Sequence, residues 1–105
     1  MPDDPLVSIL MPCFNSENYI SEAIESVVGQ TFESWELLIC DDGSVDKAVS
    51  LIKHWCRLDS RIKFIANEFC KGAPGARNSC LSQAQGRYIA FLDSDDRWMP
   101  TKLEM

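Results

Sequence analysis

At 105 residues the chain has room for one domain or part of one, and 46% hydrophobic with 25% charged residues is ordinary globular composition. Sixteen acidic residues against ten basic ones give a net charge of −6, which argues against a nucleic-acid partner, since phosphates call for a basic face. The acidic start MPDDPLVSIL is unlike a secretion signal and no apolar run approaches the ~20 residues of a membrane helix, so a cytoplasmic protein is expected.

The first element is the apolar run VSILMP (7–12), a buried strand stopped by Pro12. A helix is predicted over 16–30, with Ser16 as N-cap and Tyr19, Ile20, Ala23, Ile24, Val27 and Val28 facing inward. WELLICDDG (35–43) reads as a second strand closing in an Asp-Gly turn. Ser44 then caps a second amphipathic helix over 44–59, with Ala48, Leu51, Ile52, Trp55 and Cys56 inward. RIKFIAN (61–67) alternates basic and apolar residues as an edge strand would. The stretch 72–86 opens as a Gly/Pro loop and becomes a helix rich in small residues, with Gly86 as its C-cap. YIAFL (88–92) is apolar throughout, which predicts a central strand. The five cysteines, Cys13, Cys40, Cys56, Cys70 and Cys80, form no C-x-x-C pair, and Cys56 with His54 matches no zinc spacing; reduced, mostly buried thiols are expected.

Strands alternating with helices imply an α/β fold, an open parallel (Rossmann-like) sheet with right-handed crossovers and helices on both faces. Ligands of such sheets collect at the carboxyl ends of the strands, near the reversal of strand order. The first strand ends in PCFN, the second in DDGS and the fourth in DSDD, so three polar clusters share one edge: Cys13 to Asn15, Asp41 with Asp42, and Asp93, Asp95 and Asp96. Carboxylates that close repel unless something positive sits among them. They are either solvated on loops or hold a hard divalent cation such as Mg²⁺ or Mn²⁺, which would bring the phosphates of a ligand to an acidic protein. Arg77, in the loop KGAPGARN at a helix start, is an anion-site residue or a surface cation. A dinucleotide-binding domain is disfavoured because PCFNSEN lacks G-x-G-x-x-G. A haloacid-dehalogenase-type phosphatase would carry its D-x-D on the first strand, with Thr or Val where this chain has Arg97.

The blocks VSILMPCFN, AIESVVGQTFESWELLICDDGSVD, RIKF, GAPGARN and GRYIAFLDSDDRWMPTKLE, in that order, resemble the donor-binding half of the family 2 glycosyltransferases, over Val7 to Leu103. The resemblance implies a GT-A fold and metal-dependent, inverting transfer of a sugar from a nucleotide-sugar, a UDP-sugar above all, to a saccharide or lipid-linked acceptor. Carried over by position, Pro12 and Phe14 line the nucleotide pocket, Asp42 bonds the base and Arg77 lies beside the nucleotide. Asp93 and Asp95 match the D-x-D: Asp93 faces the ribose and metal, and Asp95 is the metal ligand. Asn15 shapes the loop. The family's acceptor half, with its general base, is expected beyond Met105. The chain is thus expected to be truncated after the D-x-D strand, residues 1–105 forming a donor-binding part that binds without turnover and self-associates through uncovered apolar surface. Membrane association is expected of the full-length protein. A non-catalytic nucleotide-binding module is the alternative.

Overall fold

The computed structural model describes residues 5–14, 17–41, 44–66 and 80–92. Six elements run in the order β1 (Val7–Cys13), α1 (Ile20–Val28), β2 (Trp35–Asp41), α2 (Ala48–Leu58), β3 (Ile62–Ala66) and β4 (Tyr88–Phe91). All three strand pairings are parallel and the sheet order is β3-β2-β1-β4. The crossovers through α1 and α2 step the chain in one direction, from β1 to β2 to β3. The connection after β3 then returns past them to the free side of β1, so strand order reverses between β1 and β4.

The two faces of the sheet are covered by different elements, as the α/β reading requires. Ile9, Met11, Leu37 and Ile39 point to the face where Ile20, Ile24 and Val27 of α1 and Ile52 of α2 pack, all fully buried. Each such side chain contributes about 1.5–3 kcal/mol by leaving water. Leu10, Leu38 and Cys40 point the other way and meet Cys80, from the described helical residues 80–83.

Both helices start later than the sequence suggests. α1 begins at Ile20, after a turn over 17–19, and Tyr19 at its N-cap is exposed rather than inward. In that turn the Glu17 N–H donates to Asp46 Oδ2 at 3.0 Å, a tertiary tie to the segment before α2. Ser16 lies outside the described residues. At the other end, Gly29 N–H reaches Glu25 O and the Gln30 side chain donates to Ser26 O, satisfying carbonyls that the last turn leaves open. α2 begins at Ala48, whose N–H donates to Asp46 Oδ1, so Asp46 rather than Ser44 serves this helix start. Ser44 is turned back onto Asp41.

β3 is an edge strand, as its alternation predicts. β4, expected to be central, is instead outermost in the described sheet, with Tyr88, Ile89 and Phe91 exposed. The chain order of crossovers puts it there, and the uninterrupted apolar run records faces that the described elements leave uncovered. Gly86 is not a helix C-cap, because the helical residues end at 83. It is glycine because the chain passes hard against β1: a Cβ there would lie 2.6 Å from Ser8 N.

Candidate functional site

In an open parallel sheet the reversal of strand order opens a crevice at the carboxyl ends of the strands flanking it. Here those strands are β1 and β4, with β2 adjoining. The register sets Cys13 level with Asp41 and Ala66, so β1, β2 and β3 finish together, whereas the described β1–β4 ladder covers only Val7 to Leu10. Leu92 N–H donates to Leu10 O, so in the alternation of a parallel ladder Pro12 also turns its backbone nitrogen toward β4. Proline has no N–H to give there. Pro12 therefore stays buried in the strand and has no ladder donor to offer toward β4 at the mouth of the crevice. Phe14, just beyond, is 57% exposed, an aromatic face offered at the end of a rigid strand.

The loops rising from β1 and β2 are tied to each other. Asp41, the last residue of β2, accepts the Ser44 N–H at 2.8 Å and the Ser44 hydroxyl, which shapes the turn after the strand. Asp46 accepts from Glu17 N–H in the loop after β1 and from Ala48 N–H at the start of α2, both at 3.0 Å. One carboxylate thus ties the loop after β1 to the start of α2. Sequence reading did not single out Asp46. Its signal is an Asp two residues before a helix start, which looks like a local turn and becomes a clamp only once β1 and β2 are neighbours.

Of the predicted site residues, Pro12 and Phe14 are brought to this edge, and Asp41, from the polar cluster at the end of β2, accepts from Ser44. Asn15, Asp42, Arg77, Asp93, Asp95 and Asp96 lie outside the described residues. Leu92, after which the D-x-D begins, is buried at the carboxyl end of β4, and Asp41 stands immediately before Asp42 at the end of β2. Among the described residues no group of three or more His, Cys, Asp or Glu is placed to hold a metal ion.

The thiols near this edge are structural. Cys13, Cys40 and Cys80 are buried, Cys56 is half-buried, and none of the four is in a disulfide; Cys70 is outside the described residues. Cys80 donates to Leu38 O at 3.3 Å, and burial, together with neighbouring Cys40, pushes its thiol up to about 12, far from the reactive thiolate. Burial also pushes the Cys56 thiol up.

The chain matches the sequence profile of Glycosyl transferase family 2 over residues 8–105, and it belongs to that family. It is 55% identical over 103 residues to the Escherichia coli UDP-Glc:alpha-D-GlcNAc-diphosphoundecaprenol beta-1,3-glucosyltransferase WfgD, covering 98% of this chain and 40% of the relative. To WfaP, a second Escherichia coli glucosyltransferase of the same description, it is 49% identical over 98 residues, covering 93% of this chain and 38% of the relative. The crystal structure of S. aureus TarS 1-349 in complex with UDP-GlcNAc superposes with a TM-score of 0.84 at 33% identity, over 93% of this chain and 29% of that one. The sheet is the GT-A arrangement that the sequence resemblance implies. The chain spans about 40% of the length of these curated relatives.

Proposed function

We propose that this chain is the donor-binding part of a glycosyltransferase that moves a sugar from a nucleotide-sugar, a UDP-sugar, to an acceptor hydroxyl with inversion. The observation that carries this reading is the convergence of the β1, β2 and β4 ends at the reversal of strand order, in a family 2 chain whose sequence continues from those ends into Asp42 and Asp93. Phe14 offers a face to the nucleotide, Asp42 accepts from the base, and Arg77 lies beside the nucleotide. Asp93 contacts the ribose and, with Asp95, holds the metal. These donors are carboxylate oxygens, the hard ligands that suit Mg²⁺ or Mn²⁺. Such an ion supplies charge stabilisation at a departing diphosphate. The protein's own contribution is to fix the positions of these groups, with Asp46 tying the loop after β1 to the start of α2.

The UDP-sugar reading is supported by relatives named as UDP-Glc transferases and by the UDP-GlcNAc held in the TarS structure. The relatives' diphosphoundecaprenol-linked acceptors favour a lipid-linked saccharide, met at the cytoplasmic face of a membrane by the full-length protein. The acceptor side and its general base are assigned to the part of the relatives' length that this chain does not span. Exposed Tyr88, Ile89 and Phe91 support self-association of the isolated chain. Because the chain spans so little of its relatives' length, a second reading has substance: the 105 residues bind donor without turnover. Incubation with a UDP-sugar, Mn²⁺ and acceptors separates the two, since product forms only if this chain suffices.

Calorimetric titration of UDP, with and without Mn²⁺, into wild type and Asp95→Ala tests the donor site. Affinity is expected to fall about tenfold or more when either the metal or the Asp95 carboxylate is removed. Equal affinity in all four combinations would contradict the reading.

A further inference from the structure

At the end of the sheet remote from the candidate pocket lies a buried polar cluster that the proposed chemistry does not use. Glu36, at the start of β2, is only 2% exposed. Its Oε2 accepts from Ser8 Oγ at 2.5 Å and from Gln85 N–H at 2.7 Å, and its Oε1 meets Lys63 Nζ of β3 at 3.2 Å. Ser8, fully buried in β1, accepts in turn from Gly86 N–H at 2.7 Å. Four bonds therefore join β1, β2, β3 and the turn by which the crossover enters β4. The side chains lie beside Leu10 and Leu38 on the face that Cys80 packs against, so the turn arrives on them directly. Gly86 completes the fit, since any Cβ there would press on Ser8.

A buried carboxylate is expensive to desolvate, and an apolar pair could fill the same space. What it supplies is direction. Among the described residues β4 has four residues, one neighbouring strand and mostly exposed side chains, so packing by the described elements defines its position weakly, and weakly packed strands are prone to slip. We propose that Ser8 and Glu36 are positioning residues that fix the entry of β4, and through it the place where the Asp93–Asp95 segment begins. The second half of this statement rests on the donor-site reading above.

The test uses the full chain and two readouts. Amide hydrogen exchange is followed at Tyr88 and Leu92, which bond to Leu6 O just before β1 and Leu10 O within it, and at Leu37 of β2, which bonds to Arg61 O on the β3 side. UDP affinity in Mn²⁺ is measured alongside. Ser8→Ala removes one bond to the buried Glu36 carboxylate and the acceptor of the half-buried Gly86 N–H, and it is expected to speed exchange at Tyr88 and Leu92 about tenfold more than at Leu37 and to weaken UDP binding about fivefold. Ile52→Val, a core change beneath α2, is expected to shift all three amides together and leave affinity within about twofold. If Ser8→Ala does not fold, Glu36→Gln, which keeps an acceptor oxygen and drops the charge, is held to the same pattern with about a threefold contrast. Proportional acceleration at all three amides, or loosening of β4 with UDP affinity intact, would overturn the proposal. If wild type binds no UDP, the donor-site reading fails on its own, and the exchange pattern still decides whether the latch holds β4.

Discussion

β1 and β4 lie side by side in one ladder and are stabilised in different ways. Every residue of β1 is buried, and its alternate side chains enter two opposite cores. In β4 only Ala90 is even half-buried. The strand is held by backbone bonds to β1, by Leu92 just past its end, and by the polar latch at its entry. The difference teaches that the candidate pocket is built from one wall fixed by packing and one fixed by hydrogen bonds.

Breaking the frame should cost most. Leu37→Ala removes a fully buried side chain from β2, and a loss of about 3–4 kcal/mol is expected in denaturant unfolding, within the usual range for such changes. Gly86→Ala forces a methyl against the β1 backbone, and the same measurement should show about 1–3 kcal/mol, as other overpacking substitutions do. The latch adds a pH signature. Burial raises the Glu36 carboxyl, but bonds from Ser8 and the Gln85 amide and the Lys63 charge outweigh it, holding the group below its ordinary value of 4.5. A carboxyl lowered on folding contributes stability that is complete above its unfolded value and is lost as pH falls through the folded one. The stability difference between wild type and Glu36→Gln should therefore be constant near neutrality and shrink below about pH 4.5. Asp59, held low by Arg61, follows the same sign but is present in both proteins and cancels. A difference that persists into acid would count against the latch. Smallest of all, Phe91→Ala on β4 should cost less than about 1 kcal/mol, because the ring is 58% exposed. A cost matching Leu37→Ala would mean that β4 is as enclosed as β2, and the contrast between the strands would collapse.

Most of the frame was legible in sequence because periodicity reports burial directly. The stripes Ile20, Ala23, Ile24, Val27 and Ala48, Ile52 face the core as their spacing requires, and β3 is the edge its alternation suggested. The misreadings have a common cause. Gly86 as a helix stop and YIAFL as a central strand were local inferences, and in the described sheet each was decided at long range, the first by Ser8, 78 residues away, and the second by the direction of a crossover. Asp46, Ser8 and Glu36 were missed for the same reason, because a lone polar residue in a strand or turn has no periodic signature. Of the site itself, the placement of Pro12, Phe14 and Asp41 followed from the rule for parallel sheets. The roles of Asp42, Arg77, Asp93 and Asp95 rest on family membership, since these four lie outside the described residues.

The central claim is that a metal and a nucleoside diphosphate meet at the carboxyl edge of this sheet. Paramagnetic broadening of backbone amide signals on adding Mn²⁺ with UDP addresses it directly. Broadening should be strongest at Phe14, Asp41 and Leu92, weaker midway along β1 at Ile9, and weakest at Leu6, Trp35 and Arg61 at the opposite end. Broadening that is uniform along the strands, or centred on the amino ends, would contradict the account.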